Sequence, residues 1–172
     1  MTSEAGKAED TASVRALVET QEHGVWHCVT RIDKYDDGVV DGSPDEVLEV
    51  EGNVLCNDGI QEMLDLLAMG TGTPYSTGAN AYLAVGSNAA AANATDSTLG
   101  TELDRKVATA VVTDQDVVFQ ATFNDDGSQG NWEEVGVLNA AAAGDLLNHL
   151  VSSLGAKGAG ATWVLTLTIT VS

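Results

Sequence analysis

Few side chains in this chain are suited to chemistry, and their spacing is the first clue to what it does. His23, His27 and Cys28 form the run H-x-x-x-H-C. On a helix the two histidines would share a face and could hold a metal ion. Gly24 separates them, however, and Val25 to Val29 (VWHCV) has the β-branched and aromatic content of a strand, which points neighbouring side chains apart. Cys56 and His149 stand isolated, so no second cluster completes a ligand set. The acidic segment at 33–46 suggests calcium. With Asp33 at position one, Tyr35 falls at position three and Pro44 at position twelve, where an EF-hand needs a bidentate Glu. It reads as a solvated acidic loop, as do Asp125 and Asp126, and an acidic surface of this kind can gather cations non-specifically. Asp96, Glu102, Asp104, Glu133 and Glu134 could pair as acid and base, but no spacing gathers them around a positioned histidine. Gly70 to Pro74 (GTGTP) lacks the Lys-Ser/Thr of a P-loop. Gly155 to Gly160 (GAKGAG) leads into a strand and reads as a flexible turn. No G-x-S-x-G is present. The expectation is a protein that is not an enzyme, with no catalytic, cofactor-binding or metal-ligating residue.

The elements that must position these residues are mostly strands. Thr11 to Glu22 reads as a short helix capped near Ser13, with Val14, Leu17 and Val18 on one face; Gly24 ends it. Val25 to Ile32 reads as a strand, Asp33 to Asp45 as a loop, and Val47 to Val50 as a short strand that could run on to Val54. The best helix follows. Asn57 or Asp58 caps it, with Gln61 or Glu62 completing a capping box. Ile60, Met63, Leu64 and Leu67 form its apolar stripe, Gly70 stops it, and a loop runs from Thr71 to Ala79. Further strands are expected at Ala81 to Val85, Val107 to Thr113, Val117 to Phe123, Trp132 to Leu138 and Leu146 to Val151, with loops at Asn88 to Asp96 and Asn124 to Gly130. The last segment has the clearest pattern. Trp163, Leu165, Leu167, Ile169 and Val171 alternate with Val164, Thr166, Thr168, Thr170 and Ser172, the period of two expected of a half-buried strand. Seven or eight short strands and one helix predict a mainly β protein. Its expected form is an antiparallel β-sandwich or jelly-roll-like domain over 25–172, with the helix across one open edge or face and residues 1–24 as an extension.

Composition narrows the function classes. The 172 residues carry 26 Asp and Glu against 7 Lys and Arg, a net charge of −19. That balance excludes a nucleic-acid binder, which neutralises phosphates with cations. At 44% hydrophobic the chain can build a core. No apolar run approaches the roughly 20 residues of a membrane span, and Met1 to Asp10 has neither the basic nor the apolar region of a secretory signal. Two cysteines make no disulfide framework. Dispersed Asp and Glu with scarce Lys match adaptation to high salt, where ions screen the self-repulsion of such a surface.

Several spaced segments resemble a family of small structural proteins of tailed viruses of bacteria and archaea. They are Asn57-Asp58-Gly59-Ile60 opening an apolar helix, Tyr82-Leu83-Ala84-Val85-Gly86-Ser87, and Ala94-Thr95-Asp96-Ser97-Thr98-Leu99 with Glu102 and Arg105. Glu134-Val135-Gly136-Val137-Leu138-Asn139 follows, then the Leu146-Leu147 strand and the Thr-alternating end. The resemblance covers about 53–172. It implies a virion component on the outside of the particle, here of a virus of a halophilic archaeon. A capsid decoration, vertex turret or spike is expected first; a tail-fibre or baseplate module for host attachment is the alternative. The implied partners are further copies of the chain, as a homotrimer or homopentamer, and the major capsid protein or other virion proteins, with no nucleic acid and no membrane. In that reading Gly86 and Gly136 permit tight turns or close backbone approach. Asp96 and Thr98 cap a turn that inserts Leu99 into the core, and Glu102 pairs with Arg105.

Overall fold

The computed structural model describes residues 25–124 and 126–172. The expected helix at 11–22, His23 and Asp125 lie outside these residues. The described chain forms ten strands and one α-helix. In order these are β1 (Trp26–Tyr35), β2 (Glu46–Glu51), β3 (Val54–Leu55), α1 (Asn57–Ala68), β4 (Tyr82–Gly86), β5 (Glu102–Val107) and β6 (Thr109–Thr113). Then come β7 (Asp116–Phe123), a 3-10 turn (Asp126–Ser128), β8 (Gly130–Leu138), β9 (Leu146–Lys157) and β10 (Thr162–Val171). They make two five-stranded sheets, β2-β1-β10-β7-β6 and β3-β9-β8-β4-β5, antiparallel throughout. This is the antiparallel sandwich that the strand patterning predicts.

β10 shows why that patterning is legible. It lies at the centre of the first sheet, paired with β1 on one side and β7 on the other. Its Trp163, Leu165, Leu167 and Ile169 enter the core beside Phe119, Ala121 and Phe123 of β7, while Thr166, Thr168 and Thr170 stay half-exposed on the outer face. Full burial of each large apolar side chain contributes about 1.5–3 kcal/mol. A slip by one residue would turn all of them outward, so the register is held. At one end of the core, Trp132 meets Phe123 and Trp163 edge to face, with ring centroids 5.0 and 4.7 Å apart. Lys34 Nζ lies 4.6 Å from the Trp163 ring centre and 2.7 Å from Glu46 Oε1.

Several element boundaries differ from expectation. β1 runs on to Tyr35, because Asp33, Lys34 and Tyr35 continue its ladders to β10 and, at Asp33 and Lys34, to β2. β2 does not run on to Val54: at Gly52 the backbone takes φ 85°, and β3 joins the opposite sheet. The expected strand at 107–113 is two strands, with Ala108 buried at the point where the chain crosses between sheets. β9 continues to Lys157, paired with β8 as far as Gly130, so Gly155 to Lys157 are strand and only the residues after them turn. The N-cap of α1 is Cys56, which makes no side-chain capping bond. The expected capping box is absent; instead Gln61 donates to Asp65, and Glu62 accepts from the Thr73 N–H.

Candidate functional site

Two regions hold side chains that packing of the sandwich alone does not explain. The first begins with an irregularity in β8. Its pairing with β9 shifts between Trp132 and Glu134. Trp132, Val135 and Val137 face the main core. Glu134, Gly136 and Leu138 are thereby turned to the outer face of the second sheet, as expected of a β-bulge that re-aims side chains. A second layer covers them. The loop at 87–101 lies over this face, and Leu99 inserts into a small cluster with Cys56, Ala84, Leu138 and Leu146.

Glu134 is fully buried, and both of its carboxylate oxygens are engaged. Oε1 accepts the N–H groups of Asn88 at 2.8 Å and Thr101 at 2.9 Å. Oε2 accepts the Gly100 N–H at 2.6 Å and lies 3.1 Å from His149 Nε2. The other ring nitrogen, His149 Nδ1, lies 2.8 Å from Asp96 Oδ2. A neutral imidazole carries one N–H, so hydrogen bonds to carboxylates at both nitrogens need a second proton within the cluster. The Asn93 backbone N–H, donating to the same oxygen at 2.8 Å, is the main influence holding the Asp96 carboxyl below its ordinary range; burial opposes it and His149 adds to it. A buried carboxylate costs several kcal/mol unless hydrogen bonds compensate it. Here the compensation comes from the loop's own backbone, so the charge fastens loop to sheet. Gly86 and Gly136 allow this approach. A Cβ on Gly86 would lie 2.6 Å from Glu134 Oε1 and from the Thr101 carbonyl oxygen. A Cβ on Gly136 would meet the Leu146 side chain at 2.6 Å.

The neighbouring motif residues act in the same way. Arg105 makes a two-pronged pair with Glu102, Nε to Oε1 at 2.7 Å and Nη2 to Oε2 at 2.6 Å. Its Nη1 donates to the Ala140 and Ala143 carbonyls, which holds the turn between β8 and β9. Asp104 pairs with Lys106 at 3.1 Å.

The structure thus brings Asp96 and Glu134 onto His149, which in the sequence stands isolated. The expectation that nothing gathers these carboxylates around a histidine is corrected here. The signal was a charged residue, Glu134, directly before the apolar run Val135 to Leu138, within a strand where burial demands partners. Glu133 is half-buried and outside the cluster. Both His149 nitrogens face carboxylates, so neither is aimed at a hydroxyl or thiol that could serve as nucleophile. His27 and Cys28 point to opposite faces of β1, the histidine exposed and the thiol buried. Burial pushes the Cys28 thiol up to about 12 and, with the Asp96 and Asp58 charges, Cys56 up to about 11. Neither forms the thiolate that nucleophilic chemistry needs at neutral pH. In the acidic loop, Asp45 accepts the Asp36 N–H and Asp37 accepts the Val39 N–H. Among the described residues no group of three or more His, Cys, Asp or Glu could hold a metal ion. None of their helices is long and apolar enough to cross a membrane.

The second region is apolar. α1 touches β9 through Gly59, its one buried residue, where a Cβ would lie 2.6 Å from Leu147 Cα. The expected apolar stripe exists but is not packed away: Ile60, Met63, Leu64 and Leu67 are all exposed, Leu67 by 84%. The inner part of the stripe borders a groove of about 420 Å³, lined by Met63 and Leu66 on one side and Val112 and Val117 on the other. Trp26 and Val171 also line it. Val112, on edge strand β6, is 75% exposed. Contiguous exposed apolar surface of this kind marks sites of association.

Comparison with known protein families, with curated proteins and with solved structures returned no match. Fold and surface therefore define the class: an acidic two-sheet β-sandwich with a fastened loop on one sheet and an uncovered apolar helix face.

Proposed function

We propose that this chain is a structural assembly protein on the outer surface of a tailed virus of a halophilic archaeon, as a capsid decoration, vertex turret or spike component. It works as a homo-oligomer seated on the major capsid protein. The observation that carries this reading is the outer apolar stripe of α1, Ile60, Leu64 and Leu67, exposed on a chain of net charge −19. An acidic exterior keeps the free protein dispersed by self-repulsion, and screening by salt lets an apolar face engage a neighbour. The segments that resemble virion proteins fit the same role. Glu134, Asp96, Leu99, Gly86, Gly136 and Arg105 are all occupied in holding shape, as befits a scaffold rather than a reaction centre.

The test is cryo-electron microscopy of intact particles from cells producing the chain. Density for this sandwich on the capsid exterior, repeated about a three-fold or five-fold axis, is the expected result. Density at the tail tip alone would move the function to host attachment. Absence of the chain from purified particles would overturn the virion reading altogether.

A further inference from the structure

Each sheet has two edges, and three of the four are guarded as exposed edge strands usually are. β2 carries Glu46, Glu49 and Glu51, and β5 carries Glu102, Asp104, Arg105 and Lys106. On β6 the Thr77 hydroxyl occupies both main-chain groups of Ala110: it accepts the N–H at 2.7 Å and donates to the carbonyl at 2.9 Å. The fourth edge is different. Its outermost strand, β3, pairs with only two residues of the 12-residue β9, Val54 with His149 and Leu55 with Asn148. Before Val54 the chain comes from β2 in the other sheet. Among the described residues, no strand therefore lies beside Leu150 to Lys157 on that side. Leu150 to Ala156 (LVSSLGA) carries neither charge nor proline.

A cleft of about 510 Å³ opens at the start of this stretch. Val151 and Ser152 border it, with Ala91 of the loop at 87–101 and with Glu51 and Asn53 where β2 gives way to β3. Asn53 Oδ1 accepts the Trp26 indole N–H at 2.9 Å. An indole N–H can only donate, so the other amide atom is the NH2 group. It is buried with no hydrogen-bond partner among the described residues. Glu51 is exposed, and among the described residues no Lys or Arg borders the cleft.

We propose that an extended segment of another protein, bearing Lys or Arg at alternate positions, adds as a strand to the free edge of β9 beyond the end of β3. Main-chain hydrogen bonds to β9 supply the affinity, and basic side chains beside Glu51 supply the preference. An incoming carbonyl gives the Asn53 amide the acceptor it lacks. A second copy is the poorer occupant, because it brings another −19 to a cleft already bordered by a carboxylate. This inference does not depend on the virion reading.

Fluorescence anisotropy with the full chain tests it. The probes are a labelled peptide, acetyl-Thr-Lys-Val-Lys-Val-Lys-Thr-amide, and its counterpart with Glu in place of Lys. Saturable binding of the Lys peptide is expected, about fivefold or more tighter than that of the Glu peptide. Absence of binding would overturn the proposal, and equal binding of the two would overturn the basic partner. The Lys peptide is then N-methylated at every second residue, in either phase. One phase should lose about tenfold or more in affinity, since its methyl groups replace the N–H groups that meet β9. Equal affinity in both phases would show that no strand is added. Location is read from Ala91→Trp, an exposed loop position at the cleft, against Ala142→Trp in the exposed turn between β8 and β9. The first should weaken binding and the second should not; the reverse, or no difference, would overturn the site.

Discussion

The loop at 87–101 and the helix α1 both lie against the second sheet, yet they solve opposite problems. Under the loop a charge is buried, and nearby polar groups are turned toward it: three backbone N–H groups and His149 converge on Glu134. On the helix, five large apolar side chains from Ile60 to Leu67 stay exposed, and one glycine makes the buried contact. The difference lies in what each region leaves for other molecules. A satisfied polar cluster gains nothing from a ligand, whereas exposed apolar area gains by burial. The first region is fastened internally, and the second leaves apolar surface exposed.

That contrast can be broken by substitution. Glu134→Ala should have the largest effect. It strands three loop N–H groups and one face of His149, and removing one partner of a buried ionic cluster costs about 3–5 kcal/mol. Urea unfolding measures the loss. A change below about 1 kcal/mol would show that water replaces the carboxylate and that the loop is not fastened by it.

Acid gives a smaller, graded version of the same test. The Asp96 carboxyl lies below its usual range in the folded chain, so its contribution is present above the ordinary Asp value of about 3.9. It is lost as pH falls through the lowered folded value. Neutralising other carboxylates relieves self-repulsion at the same time, so the comparison is with Asp96→Asn. The unaltered chain should lose more stability than that variant between about pH 5 and about pH 2.5. Parallel curves would remove Asp96 from the fastening.

The smallest effect on stability is expected at the helix. Leu64→Asp together with Leu67→Asp removes exposed apolar groups, so the unfolding free energy should stay within about 0.5 kcal/mol per site. Oligomerisation at high salt, read by sedimentation, should be lost. Retained assembly would show that the contact lies elsewhere.

Much of the fold was legible because it is local. Alternation along Trp163 to Val171 and along Val117 to Phe123 identified strands and their inward faces, since burial of one face is the force that sets the pattern. The apolar stripe of α1 was equally plain, and its side chains stay exposed. Helical spacing says that a face is apolar, not that anything covers it. The boundaries that differed were decided by pairing: Asp33 to Tyr35 extend β1 because strands lie beside them, although their own composition is that of a loop.

By itself the sequence determined the class of fold, the outward Thr face of the last strand and the charge of the surface, because each follows from residue type and a period of two. Only the tertiary structure decided that Asp96, Glu134 and His149 meet. They are separated by 15 and 53 positions along the chain, and a shift of register in β8 turns Glu134 to the covered side of the sheet. Such a cluster has no sequence spacing of its own, since its geometry is set by which strands pair and where a loop returns. The exposed helix face was decided in the same way: Gly59 brings α1 onto Leu147, while Ile60, Met63, Leu64 and Leu67 stay exposed.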